Sequence, residues 1–389
     1  MTNILYILNA TILTGGATKA ILHIIDNASH HNVNPIFIVP NQIGVYEYLM
    51  QRQFKAYAFP YRNSCYPPVY DWKTFVLFLP KLLARLTVNL VAIIRTIQII
   101  RHDNIQLVHT NTGVNSFGWW AAKATHTPHI WHIREYGDLD FNFHFFPSIH
   151  IHQLLLKHSH TICITNHIQS HFNLAQNPCS HVIYDGVLSV TQCASIAEKY
   201  NYFLYAGRIE PAKGLEDLLN ALARCDKFIH NDTYILKVAG KANDDEYDQY
   251  IRNKIQQLKL TSKVELLGER TDVLDLMHRA SAVIVPSRNE GFGFVMPEAQ
   301  FMGSLVIAHD TGGTHEQFVN GRTLTKDEIG LSYSTEQTLI DWINAICSSA
   351  IDTQQIIQRG QQAATTLYSV ETHCQRIYQL YSAIIQNTK

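Results

Sequence analysis

Two glutamates bracket a short glycine-rich segment, and their spacing suggests chemistry. The segment NEGFGFVMPE covers residues 289–298, with Glu290 near its start and Glu298 at its end. Two carboxylates that flank one bond can act as a pair of catalytic acids. A carboxylate can also accept hydrogen bonds from two neighbouring hydroxyls, such as those of a sugar. The spacing alone leaves both interpretations open.

A second pair of candidate residues is cationic. Arg208 and Lys213 lie in GRIEPAKG, residues 207–214, directly after the strand-like run YFLYA. An arginine fork and a lysine ammonium that converge on one point suit a diphosphate. If that diphosphate is a leaving group, fixed cations stabilise the transition state more than the ground state. The alternative is that both residues form ordinary surface ion pairs.

Glycines also follow the first predicted strand. Gly15 and Gly16 lie in TGGA, just before a predicted helix. Backbone N–H groups at such a helix start can approach an anion closely. The segment is neither G-x-G-x-x-G nor a Walker loop, so a plain turn is an equally good interpretation.

The elements that position these residues alternate between apolar runs and helical patterns. Five or more strand-like runs occur in each half of the chain, from NILYIL to HVIYDG and from YFLYAG to LVIAHD. This alternation predicts parallel sheets covered by helices on both faces. A break at residues 186–201 divides the series into two α/β domains of the doubly wound class, residues 1–187 and 188–369. Ligands should bind beyond the carboxyl ends of the strands.

Taken in order, four motifs resemble one enzyme family. TGGA, GRIEPAKG, the E-x7-E of EGFGFVMPE and GGTHEQF are similar to the pattern of the family-4 retaining glycosyltransferases, also called GT4 or glycosyl transferases group 1. The resemblance covers nearly the whole chain. It implies the GT-B fold, in which two Rossmann-like domains face each other across a nucleotide-sugar site. It also implies a C-terminal helix, residues 370–389, that crosses back to the first domain.

The resemblance assigns roles to individual residues. Glu290 would hold hydroxyls of the donor sugar, and Glu298 would hold the ribose of the nucleotide. Arg208 and Lys213 would bind the diphosphate. The backbone around the sugar and diphosphate would come from Gly15, Gly16, Gly291, Phe292 and Gly293.

Further positions match the family more loosely. His132, in HIWHIRE, matches a histidine near the reacting centre, although a structural role is the alternative. Asn111, Arg134 and Glu135 are candidate acceptor contacts, and Glu316 matches a position at a helix start. The base of the bound nucleotide should lie near Gly240, Lys241 and residues 269–271.

We expect no metal and no cofactor. The Asp138-x-Asp140 pair resembles the metal motif of the other major transferase fold, but three-residue matches are common by chance. His167 and His171 have the i, i+4 spacing of metal ligands without an evident third ligand. With Arg208 and Lys213 to neutralise a diphosphate, a metal ion would not be required.

The composition of the chain restricts the binding partners and the cellular compartment that we expect. A formal net charge of −1 gives no electrostatic case for nucleic acid. Seven scattered cysteines, an odd number without C-x-x-C, indicate reduced thiols and hence a cytoplasmic protein. The N-terminus reads as a first strand and not as a signal peptide.

The most apolar region is residues 74–101, interrupted by four basic residues. Its longest uncharged run is shorter than the ~20 residues that a membrane span needs. We favour one or two helices that face the core; the alternative is a surface that sits on the inner, anionic face of a membrane. The aromatic segment 136–148 has the same two interpretations, core or a loop that touches lipid.

The sequence therefore predicts a metal-independent, retaining glycosyltransferase. It would move a sugar from a nucleoside-diphosphate sugar to a saccharide or lipid-linked saccharide, in cell-surface polysaccharide biosynthesis. The alternatives are a nucleotide-sugar epimerase of the same fold and a non-catalytic subunit of that fold that stabilises a partner.

Overall fold

The computed structural model describes residues 1–9, 13 and 15–388. The described chain forms two compact units. Unit 1 comprises Met1–Gly186 and His373–Lys389, and unit 2 comprises Val187–Thr372. These limits differ from the predicted ones by one residue at the first boundary and by three at the second.

Unit 1 is built on a seven-stranded sheet in which every pairing is parallel. Its strands are β1 (Thr2–Ile7), β2 (Val33–Val39), β3 (Lys55–Ala58), β4 (Leu107–Thr110), β5 (His129–Ile133), β6 (His160–Cys163) and β7 (Ser180–Val182). Their order across the sheet is β3-β2-β1-β4-β5-β6-β7. Because β1 lies centrally and β4 pairs on its other side, the chain changes direction across the sheet between these two strands.

Helices cover this sheet. They are α1 (Gly16–Asp26), α2 (Val45–Gln51), α3 (Trp72–Val76), α4 (Phe78–His102), α5 (Phe117–Thr125), α6 (Asp138–Phe141), α7 (Ile149–Lys157) and α8 (Asn166–His171). One core cluster joins Leu5 and Ile7 of β1 to Ala92 and Ile99 of α4 and to Phe117 of α5. The apolar strand runs are therefore buried, as expected for a parallel sheet.

Unit 2 has a six-stranded sheet, also parallel throughout. Its strands are β8 (Tyr200–Ala206), β9 (Ile235–Ala239), β10 (Val264–Gly268), β11 (Ala280–Val285), β12 (Val306–His309) and β13 (Leu331–Tyr333). Their order is β10-β9-β8-β11-β12-β13, so here the direction changes between β8 and β11. The predicted fold class is confirmed: two Rossmann-like units, each with a doubly wound parallel sheet.

The helices of unit 2 are α9 (Leu215–Ala223), α10 (Asp226–Ile229), α11 (Asp245–Gln257), α12 (Val273–Arg279), α13 (Val295–Phe301), α14 (Gly312–Thr325), α15 (Glu336–Cys347) and α16 (Gln354–Leu367). Short 3-10 turns occur at Ala28–His31, Val190–Gln192 and Pro211–Lys213. A last helix, α17 (Val370–Thr388), contributes its residues from His373 onward to unit 1. There Tyr378 donates a hydrogen bond to the Ile24 carbonyl, at 2.5 Å.

Helices α3 and α4 correct the prediction for residues 74–101. The preferred interpretation, a pair of helices that face the core, is wrong for α3, which buries no residue. In α4 the buried residues are confined to the second half: Ala92, Thr96, Ile99 and Ile100. By length and composition alone α4 could cross a membrane, despite its basic residues. Its second half, however, belongs to the core of unit 1.

The aromatic segment 136–148 divides between both predicted roles. Tyr136 and Phe145 are buried, and the ring of Phe145 stacks on His152 at 4.5 Å between centroids. Leu139 and Phe141 are exposed. The segment is therefore anchored by two rings and presents two other apolar side chains to solvent.

Gly214 shows how closely two loops of unit 2 approach each other. It has a φ of +69°, and a Cβ there would lie 2.0 Å from the Pro286 carbonyl oxygen. Gly268 has nearly the same φ, +70°, but a Cβ there would meet nothing within 4 Å. The two positions separate the cost of a left-handed backbone from the cost of a steric clash.

We predict that Gly214→Ala destabilises the protein much more than Gly268→Ala. Both variants incur the penalty for a side chain in left-handed backbone, about 1–2 kcal/mol. Only Gly214→Ala forces a backbone oxygen to move, so its loss of unfolding free energy should exceed about 3 kcal/mol. Urea denaturation followed by circular dichroism measures both. Equal losses would show that the two loops can separate without cost.

Candidate functional site

The centre of the second sheet holds the strongest group of candidate residues. Lys213 lies in the turn after β8, and Glu290 lies in the loop after β11. These two strands are neighbours across the point where the strand order reverses. In open parallel sheets, ligands bind at such a point, outside the carboxyl ends of the strands. The residues predicted to bind diphosphate and sugar therefore lie where the topology provides space.

Lys213 and Glu290 form an ion pair. The Lys213 Nζ lies 2.8 Å from Glu290 Oε1, and the side chains are 23% and 14% exposed. Partial burial makes such a charge-assisted hydrogen bond stronger than one in open solvent. Each charged group is thus held in place by the other.

Three further contacts fix the two loops that carry this pair. The Arg288 amide donates to the Ala212 carbonyl at 2.9 Å. The Arg288 guanidinium donates two hydrogen bonds, of 2.7 and 2.8 Å, to the carboxylate of Asp217 in α9. Gly214 packs against Pro286, as described above. The loops after β8 and β11 therefore form one connected structure.

Arg208 lies beside this structure. Its Nη2 is 3.1 Å from Glu210 Oε1, and its side chain is 57% exposed. The carbonyl of Arg208 accepts a hydrogen bond of 2.7 Å from the hydroxyl of buried Tyr205. Each predicted cation thus has its own carboxylate. The backbone of Arg208 is fixed, while its exposed guanidinium is available to exchange partners.

The glycine-rich loop continues from Glu290 into α13, and α14 supports it. Gln317 donates from Nε2 to the carbonyls of Phe292 and Gly293, at 2.6 and 3.2 Å. The Gly313 amide donates to the Glu290 carbonyl at 2.7 Å. A Cβ at Gly313 would lie 2.4 Å from the Phe292 oxygen, so only glycine allows this approach.

The remaining residues of this loop occupy defined places. Phe292 is buried and packs edge to face on Tyr368, with centroids 5.5 Å apart. Gly291 precedes it, partly exposed. Glu298 lies in the first turn of α13 and is partly exposed. Glu316 lies in α14 and is buried. The loop therefore has its backbone near Glu290, with Glu298 partly exposed on α13 and Glu316 buried on α14.

The segments predicted to lie near the base share the same edge of the sheet. Gly240 and Lys241 follow β9, and residues 269–271 follow β10. The Gly240 amide donates to the Gly268 carbonyl at 2.8 Å, and the Ile209 amide donates to the Lys241 carbonyl at 3.1 Å. The loops after β8, β9 and β10 are thus joined through their backbones.

In unit 1 the reversal of strand order again coincides with candidate residues. Gly15 and Gly16 begin α1 after β1, and Asn111 follows β4. Asn111 donates from Nδ2 to the Ala17 carbonyl at 3.3 Å. Thr14, the first residue of the predicted TGGA motif, lies outside the described residues. The described part of the motif therefore lies beside Asn111 at the central crevice of its own sheet.

His132 and Arg134 lie in a buried polar network that the sequence did not reveal in full. Arg134 donates from Nε to Asn111 Oδ1 at 2.9 Å, and its Nη1 contacts Asp185. The side chains of Arg134 and Asp185 are 2% and 1% exposed. His132 is wholly buried. Asp185 was not predicted, because its partner is 51 residues distant and no local motif marks it.

The hydrogen bonds of this network have a defined direction. Arg134 Nη2 can only donate, so His132 Nδ1, at 3.3 Å, must accept. The neutral His132 ring therefore carries its proton on Nε2. Nδ1 also lies 3.2 Å from His109 Nε2, which donates, and His109 Nδ1 accepts from Tyr381, at 2.6 Å. His132 Nε2 has no hydrogen-bond partner among the described residues and lies 4.0 Å from Asp185.

Burial and the positive charge of Arg134 lower the pKa of His132 and of His109 well below the usual value. Both rings are therefore neutral at pH 7, as the direction of the hydrogen bonds requires. Burial raises the pKa of Glu135, whose carboxylate accepts hydrogen bonds from the Thr112 hydroxyl and, at 2.9 Å, from the Gly113 amide. Arg134 and Glu135 thus have intramolecular partners in this state.

The residues that raised a metal hypothesis have structural contacts. Asp140 accepts from the backbone amides of Gly137 and Tyr136, at 2.7 and 2.9 Å. Asp138 lies 2.9 Å from His171 Nε2. His167 is exposed. Within residues 1–9, 13 and 15–388 no group of three or more metal-ligating side chains occurs.

Unit 1 also contains a groove of about 680 Å³ that sequence reasoning missed. Amides, tyrosines and two arginines dominate its lining, which includes Asn9, Asn63, Tyr66, Arg62, Arg85 and His144. The lining does not include Asn111, Arg134 or Glu135. Residues from five separate segments form it, so no contiguous sequence signal could have identified it.

We predict that Arg134→Ala is strongly destabilising. It would leave the Asp185 carboxylate buried without a cation, at a cost of about 3–5 kcal/mol. Arg52→Ala is the control, because its pair with Asp26 is about 40% exposed and should contribute about 1 kcal/mol or less. Tryptophan fluorescence during urea unfolding reports on unit 1, which holds four of the five tryptophans. If Arg134→Ala lost no more unfolding free energy than the control, the pair with Asp185 would not be structural, and Arg134 could serve as an acceptor contact.

Comparison with known sequences finds similarity mainly in the second unit. Residues 192–363 match the family described as Glycosyl transferases group 1. Glycogen synthase of Mycobacterium tuberculosis is 33% identical over 142 residues, which are 36% of this chain and 34% of that protein. The lipopolysaccharide 1,2-N-acetylglucosaminetransferase of Salmonella typhimurium is 28% identical over 197 residues, which are 48% of this chain and 50% of that protein. The chain spans half or less of these relatives.

Comparison with solved structures extends to the whole chain. The crystal structure of Anabaena Alr3699/HepE in complex with UDP has a TM-score of 0.77 at 19% identity, covering 98% of this chain and 100% of that one. At this identity the likeness shows the fold alone. The matched family and the lipopolysaccharide relative are transferases by name. Residues 192–363 therefore resemble the glycosyl transferases group 1 family, in a chain with the GT-B fold.

Proposed function

We propose that the chain is a retaining, GT4-type glycosyltransferase that moves a sugar from a nucleoside-diphosphate sugar to a hydroxyl of a saccharide or lipid-linked saccharide. One observation carries the proposal. The partly exposed Lys213–Glu290 pair, 2.8 Å long, lies where the strand order of unit 2 reverses. A cation for a phosphate and a carboxylate for a sugar thus occur side by side in a crevice.

The pair suggests how a donor would bind. A diphosphate oxygen can take the place of Glu290 beside the Lys213 ammonium, which releases the carboxylate to accept hydrogen bonds from sugar hydroxyls. The exposed guanidinium of Arg208 can move from Glu210 to the same diphosphate. Negative charge on the diphosphate grows as the sugar leaves. Both cations therefore stabilise the transition state more than the bound donor.

The structurally similar HepE has been solved with UDP and with UDP-glucose, which supports a nucleotide sugar as the donor here. In unit 1, Gly15 has an ordinary φ of −70°. A Cβ at Gly15 would meet only Thr18 Oγ1, at 3.7 Å, among the described residues. Packing within the described chain therefore does not require a glycine at this position. Space for a ligand would be a reason for one.

His132 supplies a fixed hydrogen-bond donor. Arg134 and His109 occupy its Nδ1 and leave a proton on Nε2 that no described residue accepts. A buried donor without a partner is costly, and a substrate oxygen could remove that cost. We propose that a small rearrangement within unit 1 exposes Nε2 to a substrate oxygen.

We propose the groove of unit 1 as the acceptor site. Tyrosine rings suit the apolar faces of sugars, and its amides suit their hydroxyls. Asn111 fits this role less well, because it is buried and its amide is bonded to Ala17 and Arg134. Arg134 and Glu135 are less suited to this role, because each already has partners within the unit.

In the mechanism that we propose, the acceptor hydroxyl attacks from the side on which the diphosphate leaves. The diphosphate oxygen can take the hydroxyl proton, so no protein nucleophile is needed. Metal independence follows if Lys213 and Arg208 neutralise the diphosphate. We also propose a cytoplasmic location: all seven cysteines are free thiols, as a reducing compartment permits. Cell-surface polysaccharide assembly is the proposed setting.

We predict that Lys213→Ala lowers the rate of donor turnover by on the order of 10²-fold or more, because it removes a charge that stabilises the transition state. Arg359→Ala is a matched control: it is 21% exposed and pairs at 3.2 Å with Asp327, which precedes β13 and so lies at the amino edge of the sheet. Slow hydrolysis of nucleotide sugars in excess EDTA provides the assay. Normal turnover by the Lys213 variant would contradict the assignment of Lys213 to the diphosphate. If the unaltered protein lost turnover in EDTA and only Mn²⁺ or Mg²⁺ restored it, metal independence would be contradicted.

Glu290 and Glu298 should respond differently to replacement by glutamine. Glu298→Gln should weaken binding of the matching nucleoside diphosphate by about 1–3 kcal/mol, the loss of a charge-assisted hydrogen bond to ribose. Glu290→Gln should not weaken it, because Lys213 loses a competing carboxylate, but it should lower kcat through poorer orientation of the sugar. Calorimetric titration of UDP, ADP and GDP measures the first effect. Weaker binding confined to the Glu290 variant would reverse the two roles.

A further inference from the structure

The outer side of α3 and α4 is unusually apolar for a solvent-facing surface. Of the 27 large apolar side chains that are exposed in the described chain, twelve lie within residues 69–94. We call the exposed apolar side chains of this range the outer surface. In its first part Trp72, Phe75 and Val76 are 71%, 70% and 62% exposed. Soluble monomers rarely expose a contiguous apolar patch of this kind without a binding role.

Along α4 the outer surface follows the helical repeat. Leu79, Leu83, Leu86, Leu90 and Ile94 are exposed at steps of four, three, four and four residues. These steps place the five side chains in one stripe roughly 22 Å long, at 1.5 Å per residue. The opposite side of the same helix packs into unit 1. Helix α4 is thus apolar on two sides, and the chain buries one of them.

Basic side chains predominate among the charges of residues 69–94, in which Asp71, at the start of α3, is the one acid. Every charged side chain within residues 72–102 is basic, and none is acidic: Lys73, Lys81, Arg85, Arg95 and Arg101. Arg85 and Arg95 are held by unit 1, through the Cys65 carbonyl at 3.1 Å and the Phe59 ring at 5.7 Å. Lys73 and Lys81 are exposed beside the apolar side chains. A partner for this surface should therefore be both apolar and anionic.

This combination favours a lipid surface over a second copy of the chain. Two copies that met through the outer surface would bring like charges together, and its one acid, Asp71, already accepts a hydrogen bond of 2.8 Å from the Thr74 amide. A bilayer with anionic headgroups offers negative charge and an apolar interior together. Exposed Tyr70 and Trp72 add aromatic rings of the type that is enriched at membrane interfaces.

The geometry favours a helix that lies on the bilayer over one that spans it. The second half of α4 contributes Ala92, Ile99 and Ile100 to the core cluster that contains β1. Insertion across a bilayer would remove these residues from that core. Contact through the outer surface alone leaves the fold unchanged.

We propose that the outer surface docks unit 1 onto anionic membranes, with the leucine stripe in the acyl–headgroup boundary and Lys73 and Lys81 at the headgroups. The inference does not depend on the proposed function. The groove of unit 1 shares Val69, Tyr70 and Arg85 with this region. Docking would therefore bring that groove to the lipid surface.

Co-sedimentation of the full chain with vesicles tests the proposal. Binding should be strong to phosphatidylcholine vesicles that contain phosphatidylglycerol, weak to phosphatidylcholine alone, and reduced at high salt. Leu83→Glu with Leu90→Glu should weaken binding at least tenfold. Both leucines are 55–58% exposed, so the fold should persist, which circular dichroism checks. Lys73→Ala and Lys81→Ala should each weaken binding about fivefold, on anionic vesicles only.

Leu154→Glu is the matched control, because Leu154 is 53% exposed on another helix of unit 1. Its binding should equal that of the unaltered protein. An equal loss in this variant, or no binding of the unaltered protein to anionic vesicles at low salt, would overturn the proposal. A different result would identify the surface as a subunit interface. In that case the unaltered protein would not bind vesicles but would dimerise in sedimentation velocity, and the double leucine variant would not dimerise.

Discussion

A parallel sheet whose strand order reverses once is the constraint on which the rest of this structure depends. Every strand of a unit ends at the same edge, and helices on opposite faces must diverge where the order reverses. In unit 2 the reversal lies between β8 and β11, which carry Lys213 and Glu290 on their following loops. In unit 1 it lies between β1 and β4, which precede Gly15 and Asn111. The candidate residues are thus located by topology before any side chain is considered.

Rigid support for the candidate residues has a different physical origin in each unit. In unit 2 the support is backbone to backbone, since the loops after β8 and β11 meet at Gly214 and through the Arg288 amide. In unit 1 it is a buried polar network, in which Arg134 fixes the protonation of His132. Such a network is stable only if nearly all of its members are satisfied. Nε2 of His132 has no partner among the described residues and is therefore a position in the network at which a ligand would matter.

The fold was largely predictable, because short apolar runs between helical patterns identify buried parallel strands. Twelve strands were predicted, and β13 was missed because its three residues, LSY, form no apolar run. The places of Lys213 and Glu290 followed from the strands that precede them. Their ion pair did not, because it joins residues 77 positions apart. The exposure of α4 was mispredicted, since leucines at helical spacing have the same pattern whether the chain or another surface covers them.

The last helix has a consequence for the order in which the protein can fold during synthesis. Tyr381 donates to His109 in the buried network, and Tyr378 covers the carbonyl of Ile24. Unit 1 therefore cannot complete its interior when its first 186 residues leave the ribosome. It must wait, with His109 and its neighbours open, while all of unit 2 is translated. Unit 2 is continuous in sequence and can close first, so the N-terminal half of this chain is the later one to mature.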